Sequence, residues 1–148
     1  MNNSGIPQIG IALGALGIVL AFLGLFPDVT GIVTGQGFGV VQFAVMMAGF
    51  ALLILGALLY VKWTFYPRQG AAFGQQIGIR LALTGLVFSG IAGLADFLGF
   101  GTHSAALGQD VVMGPIQAVG VIGGFLMAAI GVLVYAATGS PGDPPSNE

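Results

Sequence analysis

The apolar positions of this chain do not alternate with polar ones; they run together in long continuous stretches. Four of these, at about 6–26, 38–61, 77–95 and 111–137, qualify as membrane spans, because a hydrocarbon core about 30 Å thick needs about 20 mostly apolar residues in helical form. Lipid offers the backbone no hydrogen-bonding partner, so a spanning segment must be a helix or a strand of a closed barrel. Continuous apolar runs exclude barrel strands, which alternate. The pattern predicts an all-α integral membrane protein: four transmembrane helices in one domain, 1–137, followed by a flexible polar tail, 138–148 (TGSPGDPPSNE).

The punctuation between spans supports the division. Pro27-Asp28-Val29-Thr30-Gly31 should turn the chain after the first helix, the segment 62–76 should link the middle pair, and 99–110 should link the third span to the fourth. A cleaved signal peptide is not expected, since residues 1–8 carry no basic side chain and no clear small-x-small site follows the first apolar run.

The four spans read as two tandem copies of one hairpin, about 8–61 and 76–136. Shifting the chain by 68 matches Gln8/Gln76, Ile9/Ile77, Gly10/Gly78, Ile11/Ile79, Leu13/Leu81, Gly17/Gly85, Val19/Val87 and Asp28/Asp96. Shifting it by 75 matches Gly39/Gly114, Gln42/Gln117, Gly49/Gly124, Phe50/Phe125, Gly56/Gly131, Leu58/Leu133 and Tyr60/Tyr135. A chain of this composition would match by chance at about one position in ten, and recurrence of the rarer Gln, Asp and Tyr weighs most. Each copy holds two spans, so both begin on the same side of the membrane. They are parallel repeats, predicted to form a bundle about a pseudo-two-fold axis along the membrane normal, unlike the inverted repeats that commonly house transport sites.

Within the copies, Gln42, Gly49 and Gly56 are spaced by seven, as are Gln117, Gly124 and Gly131. Seven residues are nearly two helical turns, so each trio forms one narrow stripe. In lipid, small residues let backbones approach until van der Waals contact holds helices together. Gly49, Gly56, Gly124 and Gly131 are therefore the candidate helix-packing residues. Gln42 and Gln117 should be amides that bond to each other or to backbone, or else line a small polar spot.

Composition now sets limits on function. Only 5% of residues are charged against 56% hydrophobic, and mean hydropathy is +1.00, whereas soluble domains carry about a quarter charged residues. Three Lys and Arg cannot neutralise a phosphate backbone, so no nucleic-acid partner is expected. There is no Cys and a single His, His103, which alone is a weak haem or pigment ligand. No Walker loop, HExxH, catalytic triad or dinucleotide fingerprint is present. No cofactor, no metal and no enzymatic activity are expected.

The cations Lys62, Arg68 and Arg80 all fall around the middle connection. The positive-inside rule then predicts that this connection and both termini are cytoplasmic, in the cell (inner) membrane. Trp63, Phe65 and Tyr66 beside Lys62 should form an interfacial aromatic belt. Asp28 and Asp96 should end the first and third helices at the outer face, as exposed loop carboxylates or, paired, as a cation site. A hard cation wants six or more oxygens, which two carboxylates do not supply. Arg80 should lie in the first turn of the third span, reaching to the headgroups or to a partner subunit.

In length, glycine content and doubled hairpin the chain is similar to the fused four-helix proteolipid of rotary ATPases. That family carries a mid-membrane carboxylate in its second or fourth helix. Here 38–61 and 111–137 contain none, and the expected orientation is opposite, so the resemblance ends at composition. The expected role is an accessory or structural subunit in a larger membrane complex, with lipid and other membrane subunits or further copies of itself as partners. The alternative is a small homo-oligomeric pore or transporter, whose polar path would be Gln42, Gln117, Ser89, Thr84 and Arg80.

Overall fold

The computed structural model of the chain describes residues 5–31, 40–67, 70–95 and 114–139. They form four long helices, α1 (Gly5–Leu25), α2 (Val40–Phe65), α3 (Phe73–Gly93) and α4 (Pro115–Ala137), with one 3-10 turn, Pro27–Thr30, after α1. All four are long and apolar enough to cross a membrane.

Helix ends follow local chemistry. Phe26 precedes Pro27, which disfavours helical backbone at the residue before it, and Phe26 leaves the helix at φ −126°. The 3-10 turn then closes at Gly31, whose φ of 71° is the left-handed conformation glycine tolerates. Tyr66 likewise precedes Pro67, just past the end of α2. α4 opens with Pro115 at its first position, where a missing N–H costs nothing and the fixed φ suits a helix.

The middle helices extend beyond the hydropathy limits. α2 continues through Lys62, Trp63, Thr64 and Phe65, and α3 starts at Phe73 rather than 77. Hydropathy marks where hydrocarbon ends, and a helix with satisfied hydrogen bonds continues into the headgroup zone. The connection between them therefore shrinks to Tyr66–Ala72, and Arg80 is the eighth residue of α3, about two turns in rather than in its first turn.

α1 sorts its residues by size rather than polarity. Of α1 only Gly10, Gly17, Ala21 and Gly24 are buried, while Ile9, Ile11, Leu16, Ile18, Val19 and Phe22 are exposed. Lipid tails are as apolar as Leu, so the hydrophobic effect does not drive helix against helix; close packing does. α1 packs antiparallel along α2, and α3 along α4, while α2 also touches α3 and α4. Two core clusters join the hairpins. Phe43, Met46 and Val121 form one, with Phe50 and Phe125 stacked at 4.1 Å between ring centroids; Ile54, Ala82 and Ala128 form the other.

Candidate functional site

The helix-packing glycines stand where two backbones meet. A Cβ built on Gly49 would lie 2.7 Å from the Gly17 carbonyl oxygen, and one on Gly56 would lie 2.7 Å from that of Gly10. In the second hairpin the same construction on Gly124 meets the Gly85 oxygen at 2.7 Å, and on Gly131 the Gly78 oxygen at 2.7 Å. Real Cβ atoms do not come so close, so any side chain at these four positions would push the helices apart.

The amides sit one turn or two beyond these seams. Gln42 and Gln117 are both buried, and each is the third residue of its helix. The Gln117 Oε1 accepts the backbone N–H of Gly114 at 2.9 Å, reaching back to the residue before the helix as in a capping box. Gly114 has no side chain to return the bond, so only that half forms. The Gln117 Nε2 is buried without a partner among the described residues.

Two polar features escape the sequence pattern. Gln75, 1% exposed, takes the Ala72 N–H on its Oε1 at 3.1 Å and leaves its Nε2 unpartnered among the described residues. Its signal is its place three residues after Ala72, the spacing by which Gln117 follows Gly114. Tyr66, expected in the interfacial aromatic belt, is buried against α4. Its hydroxyl donates to the Ala136 carbonyl at 2.8 Å, and its ring stands edge-on to Tyr135 at 6.4 Å. Proline ends α2 immediately after it, and the ring fills space that a side chain on Gly139 would claim. This bond satisfies one of the four carbonyls that a helix C-terminus leaves open. Ser89 is fully buried and donates from Oγ to the Val121 carbonyl at 2.7 Å, tying α3 to α4.

The charged candidates are not brought together. Asp28 is exposed in the 3-10 turn beyond α1. Arg80 is exposed on α3, whose first residue lies at the opposite end of the hairpins. Asp96 and His103 lie outside the described residues, so the Asp28–Asp96 pair has no described geometry. Among the described residues no group of three or more His, Cys, Asp or Glu could hold a metal ion. Comparison with family models, with curated proteins and with solved structures gives no match. Chemically, the described arrangement brings helices into close contact and ties their ends.

Proposed function

We propose that this chain is a structural or accessory subunit of a larger membrane protein complex, acting by packing rather than by catalysis. The observation that carries this reading is the use made of each residue type. Glycine, alanine and serine are consumed in contacts between helices of the same chain, and buried amides and Tyr66 serve helix ends. The exterior is large apolar side chains, which suit lipid and neighbouring transmembrane helices alike. A pore would need polar side chains on a common path. Gln42, Gln117 and Ser89 are buried, whereas Arg80 and Thr84 face outward, which weighs against that alternative.

We infer as well that the two hairpins are tandem copies of one. The support is that contacts recur at matched positions: Gly10 with Gly56 and Gly78 with Gly131, Gly17 with Gly49 and Gly85 with Gly124. Phe50 and Phe125, which are 75 apart, stack on each other, as matched residues do beside a two-fold axis. The positive-inside rule orients both termini and the α2–α3 connection to the cytoplasm of the cell membrane.

Isolation from native membranes in mild detergent, with mass spectrometry of what accompanies the chain, tests the role. Other integral membrane subunits at fixed ratio are expected. A monomer without companions, or a homo-oligomer that conducts, would overturn it. Orientation is tested by single cysteines at Gly70 and Ser104 in right-side-out vesicles: an impermeant reagent should label position 104 and spare position 70.

A further inference from the structure

The outer faces of α1 and α3 differ along one line. On α3, Gln76, Arg80 and Thr84 are all exposed and follow one another at intervals of four, so they stand one above the next on the helix. The positions 68 residues earlier on α1 are Gln8, Ala12 and Leu16, also exposed. One face is thus apolar beyond its first amide, and the other carries a guanidinium.

Depth makes that cation informative. α3 has 21 residues, which at about 1.5 Å per residue is about the thickness of the hydrocarbon core. Its apolar stretch begins near Ile77, so Arg80, three residues and about 5 Å further on, lies just inside the apolar layer. An unpaired charge there is costly, and such residues find a partner. Among the described residues Arg80 makes no hydrogen bond or ion pair, and the one carboxylate side chain, Asp28, lies at the other end of the hairpins. The partner must come from outside the described chain.

The direction of the side chain selects it. Cα–Cβ bonds in a helix tilt toward the N-terminus, and the N-terminus of α3 is the nearer membrane surface. Arg80 therefore leans toward the headgroups rather than the midplane, past Gln76, whose Nε2 donates to the Ala71 carbonyl at 3.2 Å and marks the polar edge. Phe73, 78% exposed, stands at that edge, suited to the headgroup level where amphipathic and aromatic side chains anchor a helix. A guanidinium presents two parallel N–H groups that match phosphate oxygens.

We propose that Arg80, flanked by Gln76, binds the phosphate of an anionic phospholipid in the leaflet at the N-terminal end of α3. The site needs no partner subunit and stands apart from the subunit role. A carboxylate on a neighbouring transmembrane helix would suit the charge but not the lean toward the surface.

The test is lipid selection by the full chain. Protein reconstituted in phosphatidylcholine with a minority of phosphatidylglycerol, then extracted mildly, should retain phosphatidylglycerol above its bulk fraction by native mass spectrometry. Arg80→Ala should lower that enrichment about fivefold, the worth of one basic side chain near a surface, and Arg80→Lys should keep part of it. Arg80→Gln, which keeps length and polarity, gives the same reading should the alanine variant fold poorly. Enrichment unchanged in Arg80→Ala and Arg80→Gln would overturn the proposal. So would displacement of the lipid by soluble glycerol phosphate, which would assign the site to a free phosphate. Loss of a co-isolated subunit with lipid selection unchanged would assign it to an acidic helix instead.

Discussion

On the α1 side of the first seam stand Gly10, Gly14, Gly17, Ala21 and Gly24; 68 residues later, on the α3 side of the second, stand Gly78, Ala82, Gly85, Ser89 and Ala92. The first seam is one of close backbone approach. Gly24 lies so near α2 that a Cβ on it would come 2.6 Å from the Met46 nitrogen. Where α3 has the larger Ala92, α4 has Val121, smaller than the Met46 that faces Gly24, so volume is traded across the seam. The second seam also gains the Ser89 hydrogen bond to Val121 and is covered by Ile54 of α2, which packs on Ala82 and Ala128. α1 has chiefly α2 to rest on. Beside its close contact, the second seam has a buried hydrogen bond and the cover of a third helix.

The largest test of that contrast is to wedge each seam. Gly56→Leu and Gly131→Leu should each destabilise the protein in detergent by about 1–3 kcal/mol, the usual cost of overpacking. Their consequences should differ in place. Gly56→Leu should release α1, seen as fast amide exchange confined to 5–25, whereas Gly131→Leu should loosen a seam that α2 still covers. Unchanged melting of both variants would mean that the glycine seams do not hold the hairpins.

A smaller effect is expected where the α2–α3 connection is pinned to α4. Tyr66→Phe keeps the ring against Tyr135 but removes the bond to the Ala136 carbonyl, for a loss of about 1 kcal/mol. Exchange should quicken in the last turn of α4 and not in α1. Uniform quickening would show that Tyr66 steadies the whole bundle.

The buried serine comes next. Ser89→Ala should cost about 0.6 kcal/mol, a typical value for a hydrogen bond between transmembrane helices. The reverse change sharpens the comparison: Ala21→Ser puts a hydroxyl where the duplication reading matches it to Ser89, with the Met46 carbonyl as acceptor. A gain of similar size is expected, measured by thermal unfolding. A loss would mean that the two seams do not share one geometry.

These contrasts were unevenly legible in the sequence. The four helices were, because apolar length is the membrane's own criterion. The seven-residue spacing of Gly49 and Gly56, and of Gly124 and Gly131, was visible too, because such a spacing on a helix makes a stripe. The ends of α2 and α3 were not: hydropathy reports the lipid, and both helices outrun it by four residues. Tyr66 carried two signals, an aromatic beside Lys62 and a residue before proline, and the second decided its place. Gln75 was hidden because an amide at a helix start looks like any interfacial polar residue. Its burial is set by α3 packing on α4, and no local run of residues encodes that.

The smallest effect should come from the glycine beside Gly124. Gly123 is exposed, and a Cβ built on it meets nothing within 4 Å, whereas one residue later the same atom would strike the Gly85 oxygen and Ser89. Adjacent helical positions point about 100° apart, so one glycine faces the seam and its neighbour faces outward. Gly123→Leu should therefore leave the melting of the isolated chain unchanged, or raise it slightly, since glycine is a poor helix former. The same variant bears on the proposed role, because it lies on the outer face of α4, an apolar surface with Val119, Ile122, Leu126, Ile130 and Leu133 exposed. A small residue in the middle of such a face lets another helix come close. If a partner subunit sits there, Gly123→Leu should abolish co-isolation while the chain itself melts as before. If it melts early on its own, α4 is packed differently from the arrangement described, and the contrast between Gly123 and Gly124 fails with it.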